Sequence, residues 1–96
     1  MGVIPNMEVG MKNEQKILVQ RIKELCKDRG MSYYVLSYRS SVPMSTLENI
    51  MKGNSKNPGI FTIMKICEGL EIPARDFFDT QDFEELYADI DVDKLP

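Results

Sequence analysis

Two short apolar-faced segments separated by a single turn constrain the fold of this chain more than any other feature. Residues 33–40 and 44–51 carry apolar side chains at helical spacing, and the three residues between them are too few for anything but a turn. Two helices joined so closely must cross steeply. The small side chains of Ser37 and Ser40 are expected where backbones approach each other, and Val42 is expected to fill the corner.

Helical periodicity continues along the chain, and no segment favours a β-strand. Ser32 is the expected cap of the helix over 33–40. Pro43 suits the start of the helix over 44–51, because no N–H donor is needed there; Ser45 or Thr46 is the alternative cap. Apolar spacing, with Gly and Pro residues at the ends of the segments, predicts helices over 13–29, 33–40, 44–51, 60–70 and 74–78. A sixth helix is predicted after Asp79 or Thr80. The predicted fold is all-α: a compact bundle of five short helices with a possible sixth C-terminal helix.

Length and composition indicate one small domain without a membrane span. A chain of 96 residues fits a single core, and 43% hydrophobic and 28% charged residues are ordinary for a globular protein. No apolar run is long enough to cross a bilayer, and residues 1–10 lack the positive start and apolar stretch of a signal peptide. We therefore expect a cytoplasmic protein with a flexible arm over 1–12, a helical domain over 13–79 and an acidic helix or tail over 80–96.

The residues that carry most catalytic and metal chemistry are scarce in this sequence. Cys26 and Cys67 fall on apolar stripes, where they are expected to be small core residues; a disulfide between them is the alternative. A zinc site would need more ligands than these two. The sequence has no histidine, no glycine-rich phosphate loop and no pair of carboxylates in a recognisable catalytic motif. It therefore predicts neither an enzyme nor a cofactor.

Charge is distributed unevenly, although the whole chain has a formal net charge of −3. Residues 12–56 hold nine basic and four acidic residues, a formal charge of +5, whereas residues 80–96 hold six acidic residues and Lys94, a charge of −5. A phosphate backbone responds to the local field and not to this average. The alternative for each lysine taken singly is a role on a solvated helix face.

Most of the chain resembles the helix-turn-helix domain of the lambda repressor/Cro-like (Xre) transcriptional regulators. The resemblance covers about residues 17–78 and is carried, around the two short helices, by residues 21–25, 29–32, 50–53, Asn57-Pro58, Thr62, Ile63, Ile66-Cys67, Leu70 and Phe77-Phe78. It implies a lambda repressor-like DNA-binding domain whose third helix, over 44–51, is the recognition helix. It also implies a bacterial, plasmid or phage repressor that occupies its operator in double-stranded DNA.

Three positions depart from the residues that this family most often has. Tyr33 stands where a Gln often braces a phosphate, and its hydroxyl can donate to a phosphate oxygen instead. Ser41 stands where the turn commonly uses Gly, at a cost of about 1 kcal/mol if its φ is positive. Ser37 replaces a small apolar residue, and its hydroxyl is expected to donate to a carbonyl one turn earlier.

The resemblance assigns base contacts to the third-helix residues that helical spacing places away from the core: Met44, Ser45, Thr46, Glu48 and Asn49. Asn49 can pair with adenine through two hydrogen bonds, and Met44 or the Thr46 methyl group can touch a thymine methyl group. Glu48 can accept from cytosine or pair with a nearby cation. Because no arginine lies on this surface, we expect an A·T-leaning site or weak specificity.

Donors that flank the third helix are the expected phosphate contacts: Ser32, Tyr33, Arg39, Lys52, Asn54, Ser55 and Lys56. Lys52 and Lys56 are the strongest candidates of this group. The alternative for Asn54 is a plain turn role, because Asn tolerates a left-handed backbone and bonds to its own main chain.

The predicted sixth helix carries Phe83, Leu86, Tyr87 and Ile90 at i, i+3, i+4 and i+7, and this apolar stripe must be covered by something. It can pack on the same domain, form a homodimer contact or bind another protein, and these alternatives remain open. A homodimer would present two recognition helices about 34 Å apart to successive major grooves. The rival to DNA binding is a protein-interaction module on the same fold that uses the acidic tail.

Overall fold

The computed structural model describes residues 10–89, and these residues form six α-helices and no β-strand. The helices are α1 (Asn13–Asp28), α2 (Tyr33–Ser40), α3 (Met44–Met51), α4 (Ile60–Gly69), α5 (Ala74–Phe77) and α6 (Gln81–Ala88). The predicted all-α fold is confirmed and the sixth helix is present. Within the described range, no helix combines the length and the apolar character needed to cross a bilayer.

The core lies where α1 to α4 converge, and α5 closes one end of it. The fully buried large side chains come from these helices and their ends: Val19, Ile22, Leu36, Leu47, Ile50, Ile66, Leu70 and Phe77. Burial of an apolar side chain of this size contributes roughly 1.5–3 kcal/mol. Helices this short are marginal in isolation, so packing against one another is what stabilises them.

α2 and α4 approach each other closely at Ser40 and Gly69. A Cβ atom added to Gly69 would lie 2.8 Å from the Ser40 Cβ and 2.9 Å from the Ser40 backbone nitrogen. The sequence predicts Ser40 at a close crossing of α2 with α3. The close approach is instead to α4, whose glycine lies too far along the chain for local spacing to reveal the contact.

The turn between α2 and α3 contains one left-handed residue, Ser41, with φ of 60° and ψ of 22°. Val42 is 2% exposed and fills the corner, as predicted. The Ser37 hydroxyl donates to the carbonyl oxygen of Val42 at 2.7 Å. The expected bond to an earlier carbonyl is therefore wrong, because the turn brings a carbonyl that is not part of the helix within reach of Ser37.

α2 and α3 begin differently. The Ser32 Oγ accepts from the N–H of Val35 at 3.1 Å and caps α2, as predicted. Pro43 lies at the start of α3, as predicted, where it is the N-cap residue with φ of −53° and an extended ψ of 143°. Ser45 and Thr46 lie inside the first turn, and the cap position of α3 makes no side-chain hydrogen bond.

We expect Ser41→Gly to raise the free energy of unfolding by about 1 kcal/mol, because glycine removes the Cβ strain of a positive φ. Urea unfolding followed by circular dichroism measures this change. Ser41→Ala keeps the Cβ atom and is the matched control, for which no gain is expected. A gain of the same size in the alanine variant would show that strain at Ser41 is not the cause.

Both ends of the described chain pack on the domain. Met11, which belongs to the segment predicted to be an arm, is 9% exposed. At the other end the Thr80 hydroxyl oxygen accepts from the N–H of Phe83 at 3.2 Å, and the rings of Phe78 and Phe83 have centroids 4.9 Å apart. α6 therefore folds back on its own domain through Phe83. Ile90, the last residue of its predicted stripe, lies outside the described residues.

Cys26 and Cys67 are buried free thiols, as expected for small core residues. Burial raises the pKa of both thiols, and nearby guanidinium groups only partly oppose the shift. A thiol is the weakly reactive form of cysteine, so both side chains act as small hydrophobic groups at neutral pH.

Candidate DNA interface

One face of α3 is exposed along its whole length and carries polar side chains. Four residues, Ser45, Glu48, Asn49 and Lys52, fall within about one third of the helix circumference. All four are exposed, whereas the opposite face of α3 is buried in the core. We refer to these four residues as the outer stripe.

The five predicted base-contacting residues do not occupy equivalent positions on α3. Ser45, Glu48 and Asn49 lie on the outer stripe, and all three are exposed. Met44 and Thr46 are half-buried and lie on opposite edges of the stripe. In a major groove the first three would face the base edges, and the other two would face the sides of the groove.

The loop that follows α3 is anchored on Asn49. The Asn49 carbonyl oxygen accepts from the N–H groups of Asn54 and Ser55 at 2.9 and 3.2 Å. The Asn54 side-chain amide also donates to the Asn49 Oδ1 at 3.4 Å. The left-handed residue of this loop is Gly53, with φ of 82°. Two predicted phosphate contacts thus lie directly beside the predicted adenine contact.

Gln15 of α1 holds the same loop from its inner side. Gln15 is 4% exposed, and its Nε2 donates to the carbonyl oxygens of Gly53 and Ser55 at 3.0 and 3.3 Å. Its Oε1 accepts from the N–H of Lys12 at 2.9 Å. Gln15 was not among the predicted site residues; the available signal was a Gln three residues after a helix cap, which is typical of a capping box.

Tyr33 lines a groove beside α3. Lys23, Met44, Glu48 and Lys52 line the same groove. Burial raises the pKa of the Tyr33 hydroxyl, with a smaller contribution from Cys26. The hydroxyl is therefore a neutral hydrogen-bond donor at physiological pH, as a contact to a phosphate oxygen requires.

Two lysines of α1 extend this surface, and neither was among the predicted site residues. Lys23 and Lys27 line an adjoining groove together with Ser32 and Tyr33. Both lysines are exposed. Their spacing of four residues places them on one face of α1, which was the available signal; the packing of α1 beside Tyr33 was not visible in the sequence.

Arg39 and Lys56 lie outside the groove that Tyr33 lines. The Arg39 guanidinium is 3.5 Å from the Glu71 carboxylate, at the end of α2 that packs on Gly69. Lys56 is exposed but lines a different groove, between the start of α1 and α6. The structure thus groups Ser32, Tyr33 and Lys52 on one side of α3 and places Arg39 apart from them.

Two arginines of the basic region act inside the fold. Arg21 donates to the carbonyl oxygens of Phe77 and Asp76 at 2.7 and 2.9 Å, and its guanidinium lies 5.9 Å from the centre of the Phe77 ring. Arg29 donates to the carbonyl oxygen of Leu70. Both side chains satisfy carbonyl groups at helix ends, so the free cations near α3 are lysines.

The family model of the Cro/C1-type HTH DNA-binding domain matches residues 21–82. This range includes α2, α3, α4 and α5, the second half of α1 and the first two residues of α6. Comparison with curated proteins and with solved structures gives no significant match.

Proposed function

Because this chain belongs to the family of Cro/C1-type helix-turn-helix DNA-binding domains, we propose that it is a sequence-specific transcriptional regulator that reads an operator with α3. The observation that carries the proposal is the outer stripe: four polar side chains exposed on α3 and its C-cap residue, while the other face of α3 is in the core. An α-helix fits the major groove of B-form DNA, and polar side chains on its outer face reach base edges there.

The chemistry of the outer stripe suggests which bases it recognises. Asn49 offers one acceptor and two donor hydrogens, which match the N6 amino group and the N7 atom of adenine. Ser45 serves as donor or acceptor, and Glu48 accepts from the cytosine amino group. Among the residues of the stripe none is an arginine, so the operator is proposed to be rich in A·T pairs at the contacted positions.

Phosphate contacts are proposed on both sides of the outer stripe. Ser32 and Tyr33 stand at the start of α2, and Lys23, Lys27 and Lys52 supply positive charge along the groove that Tyr33 lines. On the other side the side chains of Asn54, Ser55 and Lys56 follow α3. Contacts of this kind fix the orientation of a protein on the duplex and leave sequence readout to Ser45, Glu48 and Asn49 of the stripe.

The proposed mode of action is repression by occupancy. A regulator bound at its operator competes with other proteins for the same stretch of duplex, and this needs neither an enzymatic step nor a cofactor. The DNA partner also places the protein in the compartment that holds the promoter, which for a bacterial, plasmid or phage promoter is the cytoplasm. A homodimer would read a palindromic operator through two half-sites about 34 Å apart.

A protein-interaction module on the same fold is the second candidate, and one observation favours it. Tyr34 and Tyr38, one turn apart on α2, are 75% and 84% exposed, and neither lies on α3. Exposed tyrosines are enriched at protein interfaces. Failure to select any DNA sequence, with the protein folded, would favour this candidate over the operator-binding role.

Selection of bound duplexes from a random pool tests the proposal, with Asn49→Ala beside the native protein. We expect the native protein to enrich one motif and the variant to lose about 1–3 kcal/mol of discrimination at a single adenine position. Lys52→Ala is expected to weaken binding to all sequences alike and to reduce the salt slope by about one unit. Asn13→Ala, on the first residue of α1, is the matched control and should leave the motif unchanged.

A motif that survives intact in Asn49→Ala would contradict recognition through α3. Denaturant unfolding followed by circular dichroism checks that each variant is folded. Because Asn49 and Lys52 are exposed and contribute little to the core, both variants should unfold close to the native denaturant midpoint.

A further inference from the structure

The groove that Tyr33 lines beside α3 has a largely apolar interior. Tyr33 and Met44 are half-buried along it, and Leu47 and Met51 line it from the core side with exposures of 0% and 8%. Its volume is about 260 Å³, several times the roughly 30 Å³ that one water molecule occupies in the liquid. The groove therefore has room for a small apolar group carried by a DNA base. We refer to it as the Tyr33 groove.

Glu48 brings a hydrogen-bond acceptor to the edge of this apolar interior. Glu48 follows Met44 by one helical turn, about 40° further around the axis of α3, and both side chains line the groove. Neither of the ion pairs formed within residues 10–89 includes Glu48, although two lysines line the same groove. The carboxylate oxygens of Glu48 are therefore available to a donor on DNA.

A base that matches this arrangement needs an amino donor beside a methyl group on its major-groove edge. Cytosine has the N4 amino donor but no methyl group at C5. Thymine has the C5 methyl group, but its neighbouring O4 atom is an acceptor and cannot bond to a carboxylate, which has only acceptors. Adenine has an amino donor and no methyl group. Only 5-methylcytosine combines the N4 donor of cytosine with the C5 methyl group of thymine.

Resting on the function proposed above, we propose that this protein recognises 5-methylcytosine in its operator. Glu48 accepts from the N4 amino group, and Met44 contacts the methyl group at the mouth of the Tyr33 groove. The specificity thus comes from a pair of neighbouring side chains, one polar and one apolar, that read two adjacent atoms of one base.

The order of groups across the major groove supports this assignment. In a paired pyrimidine the C5 atom lies between the exocyclic group at C4 and the sugar–phosphate backbone of its own strand. On the protein, Glu48 belongs to the outer stripe, and Met44 lies at the edge of the stripe on the side where Tyr33 lines the groove. Tyr33 is a proposed phosphate contact. Base and protein therefore present amino group, methyl group and phosphate, and their three partners, in the same order.

Selection from two random duplex pools tests the proposal, one pool synthesised with cytosine and the other with 5-methylcytosine. We expect a motif with a cytosine position whose preference is lost in Glu48→Gln, because a glutamine amide can face a donor or an acceptor. Dissociation constants are then measured on the selected duplex with cytosine, 5-methylcytosine or a T·A pair at that position. We expect 5-methylcytosine to bind about fourfold tighter than cytosine, as burial of one methyl group implies, and roughly tenfold or more tighter than thymine.

Substitutions of Met44 separate the methyl contact from the amino contact. Met44→Ala is expected to bind the cytosine and 5-methylcytosine duplexes alike and to keep its preference for cytosine over thymine. Met44→Leu has a similar side-chain volume and is expected to retain most of the fourfold gain. Met64→Ala, at an exposed methionine of α4 outside the groove, is the matched control and should retain all of it. Denaturant unfolding checks that each variant is folded.

Equal affinity of the native protein for the cytosine and 5-methylcytosine duplexes overturns the proposal. A fourfold gain that persists in Met44→Ala also overturns it, because methylation would then act through the shape of the duplex and not through the groove. A motif without a cytosine that depends on Glu48 overturns it as well, but leaves operator binding through α3 intact. If neither pool yields a motif, the proposed function fails together with this proposal.

Discussion

Replacement of Gly69 by alanine is expected to lower the free energy of unfolding by about 3 kcal/mol, at the upper end of the cost of overpacking. The added Cβ atom would meet the Cβ, Cα and backbone nitrogen of Ser40 at 2.8–2.9 Å. Backbone atoms cannot rotate away as the end of a flexible side chain can. α4 must therefore shift relative to α2, and the shift disturbs the core on which α3 also packs.

Gly59→Ala is the matched control for this prediction. Gly59 precedes α4 with an ordinary negative φ, and a Cβ atom added there meets nothing within 4 Å. Thermal and urea unfolding of the two variants give the comparison. Equal stability of Gly69→Ala and Gly59→Ala would show that the contact of α2 with α4 relaxes at little cost.

Replacement of Gln15 by leucine is expected to lower the free energy of unfolding by about 2 kcal/mol and to weaken DNA binding as well. The substitution removes the donor that serves the Gly53 and Ser55 carbonyl oxygens, and a buried acceptor left without a partner costs about 1–3 kcal/mol. The loop would also lose its attachment to α1. Because Asn49 is bonded to that loop, we expect loss of base discrimination together with loss of stability.

Gln20→Leu, at an exposed position of α1, is the matched control and should leave both properties near their native values. The duplex selection provides the second measurement. It is made without denaturant and at a temperature at which both variants are folded. If Gln15→Leu is destabilised but selects the native motif with unchanged discrimination, Gln15 stabilises the fold without positioning the interface.

The arrangement of charge near α3 has a consequence for the strength of DNA binding. Arg21 and Arg29 are held by carbonyl oxygens at helix ends, and Arg39 is paired with Glu71. The cations left along the groove beside α3 are the lysines at 23, 27 and 52. These lysines contact phosphates mainly through their positive charge. The proposed DNA binding should therefore weaken steeply as salt is added.

Much of the architecture followed from local sequence pattern. The bounds of α2 and α3, the Ser32 cap and the burial of Val42 were predicted correctly, because apolar spacing, capping residues and turn length are properties of neighbouring residues. The resemblance further pointed to Ser41 as the position of a possible left-handed backbone, and Ser41 has φ of 60°. The outer stripe on α3 also follows from spacing alone once Leu47, Ile50 and Met51 are assigned to the core.

The tertiary structure alone decided which helix meets which, and therefore what surrounds the outer stripe. Local periodicity gives the apolar face of each helix but not the angle at which another helix crosses it. For this reason the contact of Ser40 with Gly69, the bonds of Gln15 to the loop after α3 and the place of Lys23 and Lys27 beside Tyr33 could not be predicted. The same reason applies to the position of Arg39 beside Glu71, which follows from the packing of α2 on α4. Sequence by itself determined the helices and their exposed faces; packing between distant segments determined which of those faces form one surface.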